Sequence, residues 1–278
     1  MRLAVHESGP ADGPAVIALH GVMQTHDTVM KGDELQRAGY RVIAYDARGH
    51  GGSETPDDPT DYGYDRLVED LVQVMDEHDA SPAVLVGVSM GALTSLRLAL
   101  EQPERVAGIV AVTPAYNPDS AGGCLNRAEL VAEALRQRDA ELLIAAEPVG
   151  PADGHRQRAL LAFARRTAER TIASHRDPAA TAIALLAILR ARAFDTFEPL
   201  AAIEAPTVVI GSHDEFDLNH PLWLAEQYAR ALPGCRWVCE EKGELPIAWK
   251  GREVARIALE LAESVFDRPA AALTRSAG

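Results

Sequence analysis

Cysteine is scarce in this sequence of 278 residues, which contains three: Cys124, Cys235 and Cys239. The last two lie four residues apart in a β-like run, so they would stand roughly 13 Å apart on one strand face and could not form a disulfide. Neither Cys-x-x-Cys nor His-Glu-x-x-His occurs, and no phosphate-loop motif is present, so the sequence predicts neither a metal site nor a cofactor. It also lacks an apolar signal region and any membrane-length hydrophobic run. We therefore expect a cytoplasmic protein.

Basic residues are outnumbered in this chain. Lys and Arg total 27 and Asp and Glu total 41, which gives a formal net charge of −14 at pH 7. A negative field of this kind repels the phosphates of nucleic acids and of anionic lipids. The sequence therefore predicts a small-molecule substrate and argues against nucleic-acid or membrane partners, while it gives no indication of the oligomeric state.

Short apolar runs alternate with helical patterns through most of the chain. Between residues 64 and 78, apolar side chains recur at three- and four-residue spacing, which is typical of one face of an amphipathic helix. This alternation predicts an α/β fold with a mostly parallel sheet flanked by helices. The candidate strands occupy residues 15–19, 42–45, 83–87, 106–112, 206–210 and 236–239.

The pattern changes between residues 116 and 203, where helical periodicity continues without a strand signal. This segment is expected to be a helical cap inserted into the sheet domain. Residues 1–115 and 204–266 would then form the core, and 267–278 a loose tail.

One serine lies where a strand should turn directly into a helix. Ser89 follows the apolar run 83–87, precedes the helix-like run 92–100, and stands between Gly87 and Gly91. The small flanking residues permit a sharp turn that projects the serine hydroxyl at a helix N-terminus, where free backbone N–H groups favour developing negative charge. This pattern predicts a nucleophile.

Four features in this order resemble the α/β-hydrolase family: His20-Gly21 after a strand, the run from Asp46 to Ser53, the Ser89 turn, and the run from Gly211 to Asp214 after a late strand. The resemblance implies that Ser89 is the nucleophile, that Asp214 is the acid and that the cap shapes the substrate pocket. It also implies an oxyanion hole formed by the backbone N–H groups of Val22 and Met90, since the alkoxide formed by attack on a carbonyl needs fixed donors.

The expected general base is missing from its usual place. The family carries its histidine after the last strand, but no histidine follows His220 in this sequence, and Glu244 occupies the matching position. We expect His220, six residues after Asp214, to serve as a relocated base. Two alternatives stay open: Glu244 acting beside Asp214, which would predict an acidic optimum, and His26 approaching from the loop after the oxyanion residue.

These features favour a serine hydrolase that cleaves an ester, lactone or thioester of a small, largely apolar substrate through an acyl-serine intermediate. The displaced histidine leaves two other interpretations open. One is a cofactor-free lyase or cyclase that uses the oxyanion hole to steady an enolate, and the other is a ligand-binding protein without turnover.

Overall fold

The computed structural model describes residues 1–118, 125–146, 154–214, 217 and 219–267. Seven strands are present in this part of the chain: β1 (Ala4–Ser8), β2 (Ala15–Leu19), β3 (Arg41–Asp46), β4 (Ala83–Val88), β5 (Val106–Val112), β6 (Thr207–Ile210) and β7 (Arg236–Val238). They form one sheet in the order β1-β3-β2-β4-β5-β6-β7. All neighbouring strands are parallel except β1 and β3, which are antiparallel.

The helices of the described residues are α1 (Glu34–Arg37), α2 (Tyr64–Glu77), α3 (Met90–Glu101), α4 (Leu125–Gln137), α5 (Ala140–Ala146), α6 (Gly154–Ser174), α7 (Pro178–Arg190), α8 (Leu222–Ala231) and α9 (Gly251–Val265). Two successive residues of β2 show that the helices cover both faces of the sheet. Ile17 packs in a core with α2, α3 and α8, whereas Val16 packs on the opposite face with α1 and α9. Because strand side chains alternate between faces, a run that is buried throughout must be covered on both sides. The predicted α/β fold is confirmed.

Strand β1 is the element that the sequence did not predict. Its residues are half-buried or exposed, so it lacks the continuous apolar run that marks the other strands. It pairs antiparallel with β3 at the edge of the sheet, with Ala4 opposite Asp46. An edge strand of this kind carries a weak sequence signal because one side faces water.

Helices α4 to α7 lie between β5 and β6, and no strand occurs among the described residues of 116–203. Apolar side chains of α4, α5 and α7 form their own core, which includes Val131, Leu135, Leu143 and Leu185. These four helices are called the inserted helices below, and their role as a substrate cap stays a prediction. The predicted tail lies outside the described residues from 268 onward, as does Cys124. Cys235 and Cys239 are free thiols.

None of the helices in the described part of the chain combines the length and the apolar character needed to cross a lipid bilayer.

Candidate active site

Ser89 lies at the turn between β4 and α3 in a backbone conformation that L-residues rarely adopt, with φ 48° and ψ −107°. Glycine is required on both sides of this turn. A Cβ atom on Gly87 would collide with the backbone of Gly91, and one on Gly91 would collide with the backbone of Leu19. The two glycines let the strand and the helix approach each other closely, so the packing around the turn holds Ser89 in its strained conformation. This conformation leaves the Ser89 side chain half-exposed at the start of α3.

The structure brings His220 to Ser89. The Nε2 atom of His220 lies 2.9 Å from the Ser89 hydroxyl oxygen, although the two residues are 131 positions apart in the chain. His220 lies just before α8, where Pro221 precedes the first helical residue. A nucleophile and a base within hydrogen-bond reach of each other form the arrangement that nucleophilic catalysis requires.

The carboxylate beside His220 belongs to Asp217, whose Oδ2 atom lies 2.7 Å from the other ring nitrogen, Nδ1. Burial alone would raise the pKa of Asp217. Hydrogen bonds from the His220 ring and from the N–H groups of Asn219 and His220, together with the charge of the imidazole, hold that pKa below its ordinary value. Asp217 is therefore ionised at neutral pH and can fix the proton of His220 on Nδ1, which leaves Nε2 to accept the proton of Ser89.

The resemblance implied Asp214 as the acid, whereas the structure places the carboxylate of Asp217 against the His220 ring. Both aspartates follow β6, and the carbonyl oxygen of Asp214 accepts the N–H of Asp217 at 3.3 Å. The resemblance pointed to Asp214, which is the first aspartate after the strand. Asp217, the next aspartate in the chain, is the one that lies beside His220. The local signal for Asp217 was its position three residues before a histidine, a spacing that one turn can close.

The buried carboxylate of Glu240 was also missed by sequence reasoning. Its oxygens accept hydrogen bonds from the Ser212 hydroxyl at 2.8 Å, the His213 N–H at 2.6 Å and the Ile247 N–H at 3.1 Å. Glu240 follows β7, so it fastens the segment after β6 to the segment after β7. It therefore fixes the start of the loop that leads to Asp217 and His220.

The two alternative bases lie elsewhere in the structure. Glu244 is exposed, and its backbone N–H donates to the carbonyl of Glu241. The Nδ1 atom of His26 lies 2.9 Å from Asp46, and its ring stacks on that of His6. The described contacts therefore join neither of these side chains to the Ser89 hydroxyl.

The loop after β2 lies against the serine. A Cβ atom built on Gly21 would stand 3.5 Å from the Cβ atom of Ser89, and the Gly21 N–H donates to the Gln24 side chain at 3.0 Å. Val22 follows directly, and Met90 is the first residue of α3, where backbone N–H groups have no partner within the helix. Both predicted oxyanion donors thus lie in segments that adjoin Ser89, and their role stays a prediction.

The sequence profile of the alpha/beta hydrolase fold matches residues 14–243. This chain belongs to the α/β hydrolase fold family. The candidate carbamate hydrolase RutD from Variovorax paradoxus (strain S110) is 33% identical over 224 residues, which cover 77% of this chain and 79% of that relative. Other curated relatives are matched over less than half of their own length.

Two solved structures show the same fold. A thermophilic esterase from Thermogutta terrifontis, solved with malate bound, is 24% identical and superposes with a TM-score of 0.73 over 95% of this chain and 93% of that chain. An enol-lactonase from Burkholderia xenovorans LB400 is 22% identical, with a TM-score of 0.70 over 95% of this chain and 96% of that chain. The predicted membership of the α/β hydrolase fold family is confirmed.

In this α/β hydrolase, a buried histidine joins the inserted helices to the loop after β2, residues 20–25, which is called the oxyanion loop below for its predicted role. His175 lies between α6 and α7, and its Nε2 atom lies 3.1 Å from the carbonyl oxygen of Met23, the residue after Val22. Its Nδ1 atom accepts the N–H of Gly51 at 2.9 Å. Because Met23 has a positive φ of 62°, this contact helps to hold a strained turn beside the predicted oxyanion donor.

Three histidines packed beneath the oxyanion loop predict a loss of stability in acid. Burial lowers the pKa of His20 to about 4 in the folded protein, against 6.5 for an exposed histidine, and it also lowers the pKa values of His50 and His175. The unfolded chain then binds more protons than the folded chain between these values, so stability falls as the pH drops through them. We expect His20 alone to lower the free energy of unfolding by about 2 kcal/mol between neutral pH and about pH 5.

Urea unfolding at the two pH values measures this loss. His20→Gln has no titratable imidazole at this position. Its free energy of unfolding should therefore differ less between the two pH values than that of the original chain, even though the variant is less stable overall. An unchanged free energy of unfolding in the original chain would contradict the prediction.

Proposed function

We propose that this chain is a serine hydrolase that cleaves an ester, lactone or thioester of a small, largely apolar substrate through an acyl-Ser89 intermediate. The observation that carries the proposal is the 2.9 Å contact between the Ser89 hydroxyl and the Nε2 atom of His220. Asp217 holds the other side of the same imidazole. The relationship to a candidate carbamate hydrolase supports the general class of reaction.

The proposed reaction has two halves. As the Ser89 oxygen attacks the carbonyl carbon of the substrate, His220 takes the hydroxyl proton and the carbonyl oxygen becomes an oxyanion, stabilised by the N–H groups of Val22 and Met90. His220 then gives its proton to the leaving group as the carbon–heteroatom bond breaks, which leaves the acyl group on Ser89. Water then attacks the acyl carbon while His220 takes a proton from it. The bond from that carbon to the Ser89 oxygen breaks, His220 returns the proton to Ser89, and the carboxylic acid is released.

The preference for an apolar substrate is supported by the surroundings of the oxyanion loop. Val22 and Met23 pack against the apolar core of the inserted helices, which is built largely from alanine, leucine and valine side chains. Side chains of this type attract the hydrocarbon part of a ligand and exclude water. An acyl group without polar atoms could therefore bind against these side chains.

Labelling with a fluorophosphonate, followed by intact-mass measurement, tests the proposal. We expect one label per chain, no label in Ser89→Ala, and unchanged labelling in Ser264→Ala, whose hydroxyl bonds a helix carbonyl on α9. The extent of labelling should rise between about pH 5 and about pH 8, where histidine side chains titrate. A rise confined to more acidic pH would instead indicate a carboxylate base.

A substrate panel of short-chain esters, lactones, thioesters and carbamates then separates the classes. Turnover that requires Ser89 supports hydrolysis over the lyase, cyclase and binding interpretations, which were motivated by the histidine missing from its usual position. If no label is incorporated at any pH, Ser89 is not an activated nucleophile and the proposal fails.

A further inference from the structure

Three side chains with metal-binding atoms meet where three separate segments of the chain converge. Their described contacts do not include Ser89. His6 belongs to the edge strand β1, Asp46 is the last residue of β3, and His26 begins a short 3-10 helix that follows the oxyanion loop. One ligand atom from each residue lies within 4.8 Å of the ligand atoms of the other two. None of the three takes part in the proposed hydrolysis.

The carboxylate of this cluster is held in place by the backbone. Asp46 Oδ1 accepts the N–H of His26 at 2.8 Å, and Oδ2 accepts the N–H of Gly52 at 2.9 Å. The carboxylate of Asp46 therefore has a fixed orientation, and this orientation does not depend on where the His26 ring points.

The two imidazoles stand side by side next to this carboxylate. The rings of His6 and His26 are stacked, with centroids 3.6 Å apart and planes 11° from parallel. The Nδ1 atom of His26 lies 2.9 Å from Asp46 Oδ1. Asp46 is buried, the His26 side chain is 27% exposed, and His6 is exposed, so the cluster opens to solvent on the side of His6.

This donor set matches the coordination chemistry of zinc. Zn²⁺ binds imidazole nitrogen and carboxylate oxygen in tetrahedral sites, with bonds of about 2.1 Å that set the ligand atoms about 3.4 Å apart. The ligand atoms lie within 4.8 Å of one another, so no separation has to shorten by more than about 1.4 Å to reach that value. Rotation of the His6 and His26 rings out of their stacked arrangement can supply this movement. Water can complete the coordination from the solvent side.

We propose that His6, His26 and Asp46 form a binding site for Zn²⁺. The sequence predicted no metal site because zinc motifs are recognised by short local spacings. These three ligands come from three different elements and are spaced 20 residues apart. A bound ion would link the edge strand β1 and the end of β3 to the short 3-10 helix that follows the oxyanion loop. The proposal rests on none of the hydrolytic chemistry.

Calorimetric titration of the full chain, without a polyhistidine tag, with ZnCl₂ tests the site. We expect one Zn²⁺ per chain and an affinity at least about 10-fold lower in His6→Ala and in His26→Ala. His78→Ala is the matched control, since His78 is equally half-buried at 26% exposure and its Nδ1 atom lies 2.8 Å from a carboxylate, that of Glu7 on the same edge strand. Its zinc affinity should equal that of the original chain.

Two further measurements keep the result interpretable. Thermal unfolding without metal should be unchanged in His6→Ala, because this side chain is exposed, so a lost affinity reports a lost ligand. The proposal is overturned if zinc does not bind, if binding survives in both His6→Ala and His26→Ala, or if it is lost in His220→Ala. That last result would place the ion at the serine site instead.

Discussion

Replacing His220 by alanine is expected to lower kcat for ester hydrolysis by a factor on the order of 10⁶, as removal of the base does in a serine protease. Without the imidazole, the Ser89 hydroxyl has no acceptor for its proton during attack and the leaving group has no donor. The matched variant Glu244→Ala should stay within about 2-fold of the original kcat, because Glu244 is exposed and lies on a turn after β7.

Steady-state rates for both variants, with circular dichroism as a folding control, measure the difference. The two substitutions separate the alternatives that the sequence left open. If Glu244→Ala were as damaging as His220→Ala, a carboxylate would take part in the reaction, and an acidic optimum would be expected. If His220→Ala kept most of the activity, the 2.9 Å contact with Ser89 would not be catalytic.

Replacing Asp217 by asparagine is expected to lower kcat by about 10⁴-fold, the cost of the equivalent change where a carboxylate orients a catalytic histidine. Asparagine matches the shape of aspartate but carries no charge. Its amide can also donate to Nδ1, which favours the tautomer with the proton on Nε2, facing Ser89. A loss of this size would show that Asp217 fixes the proton of His220 and stabilises the imidazolium that forms during attack.

Asp214→Asn is the matched control for this prediction. It removes a carboxylate from the same segment after β6, and we expect less than about a 10-fold loss because the contact with His220 Nδ1 is made by Asp217. The pH profile of kcat/KM gives a second readout, since the loss in Asp217→Asn should persist across the pH range. Equal losses in the two variants would mean that both carboxylates support the histidine.

In this chain the proposed base lies after β6 and not after the last strand, where the resemblance placed the family's histidine. Asp217 and His220 lie close together after β6, so one segment supplies both the carboxylate and the imidazole. The segment after β7 has a supporting role, since Glu240 bonds Ser212, His213 and Ile247. Fixing the start of the loop in this way limits its movement where a small displacement would break the contact with Ser89.

The sequence by itself determined the sheet and the strand-to-helix turn that carries Ser89, because both depend on local order. Buried strands reveal themselves by continuous apolar runs, and Gly87 and Gly91 are needed where strand and helix approach each other closely. All six predicted strands lie within about one residue of the observed ends. The edge strand β1 was missed because half of its surroundings are water.

Only the tertiary structure decided which side chains lie next to Ser89. His220 was the favoured base among three candidates, but its contact with the serine spans 131 residues and depends on how β4, β6 and α8 pack. Asp214 and Asp217 carry the same side chain three residues apart, so composition and spacing could not choose between them. In the folded chain, the carboxylate that contacts His220 is that of Asp217. Its position depends on the backbone after β6, which distant partners such as Glu240 hold in place.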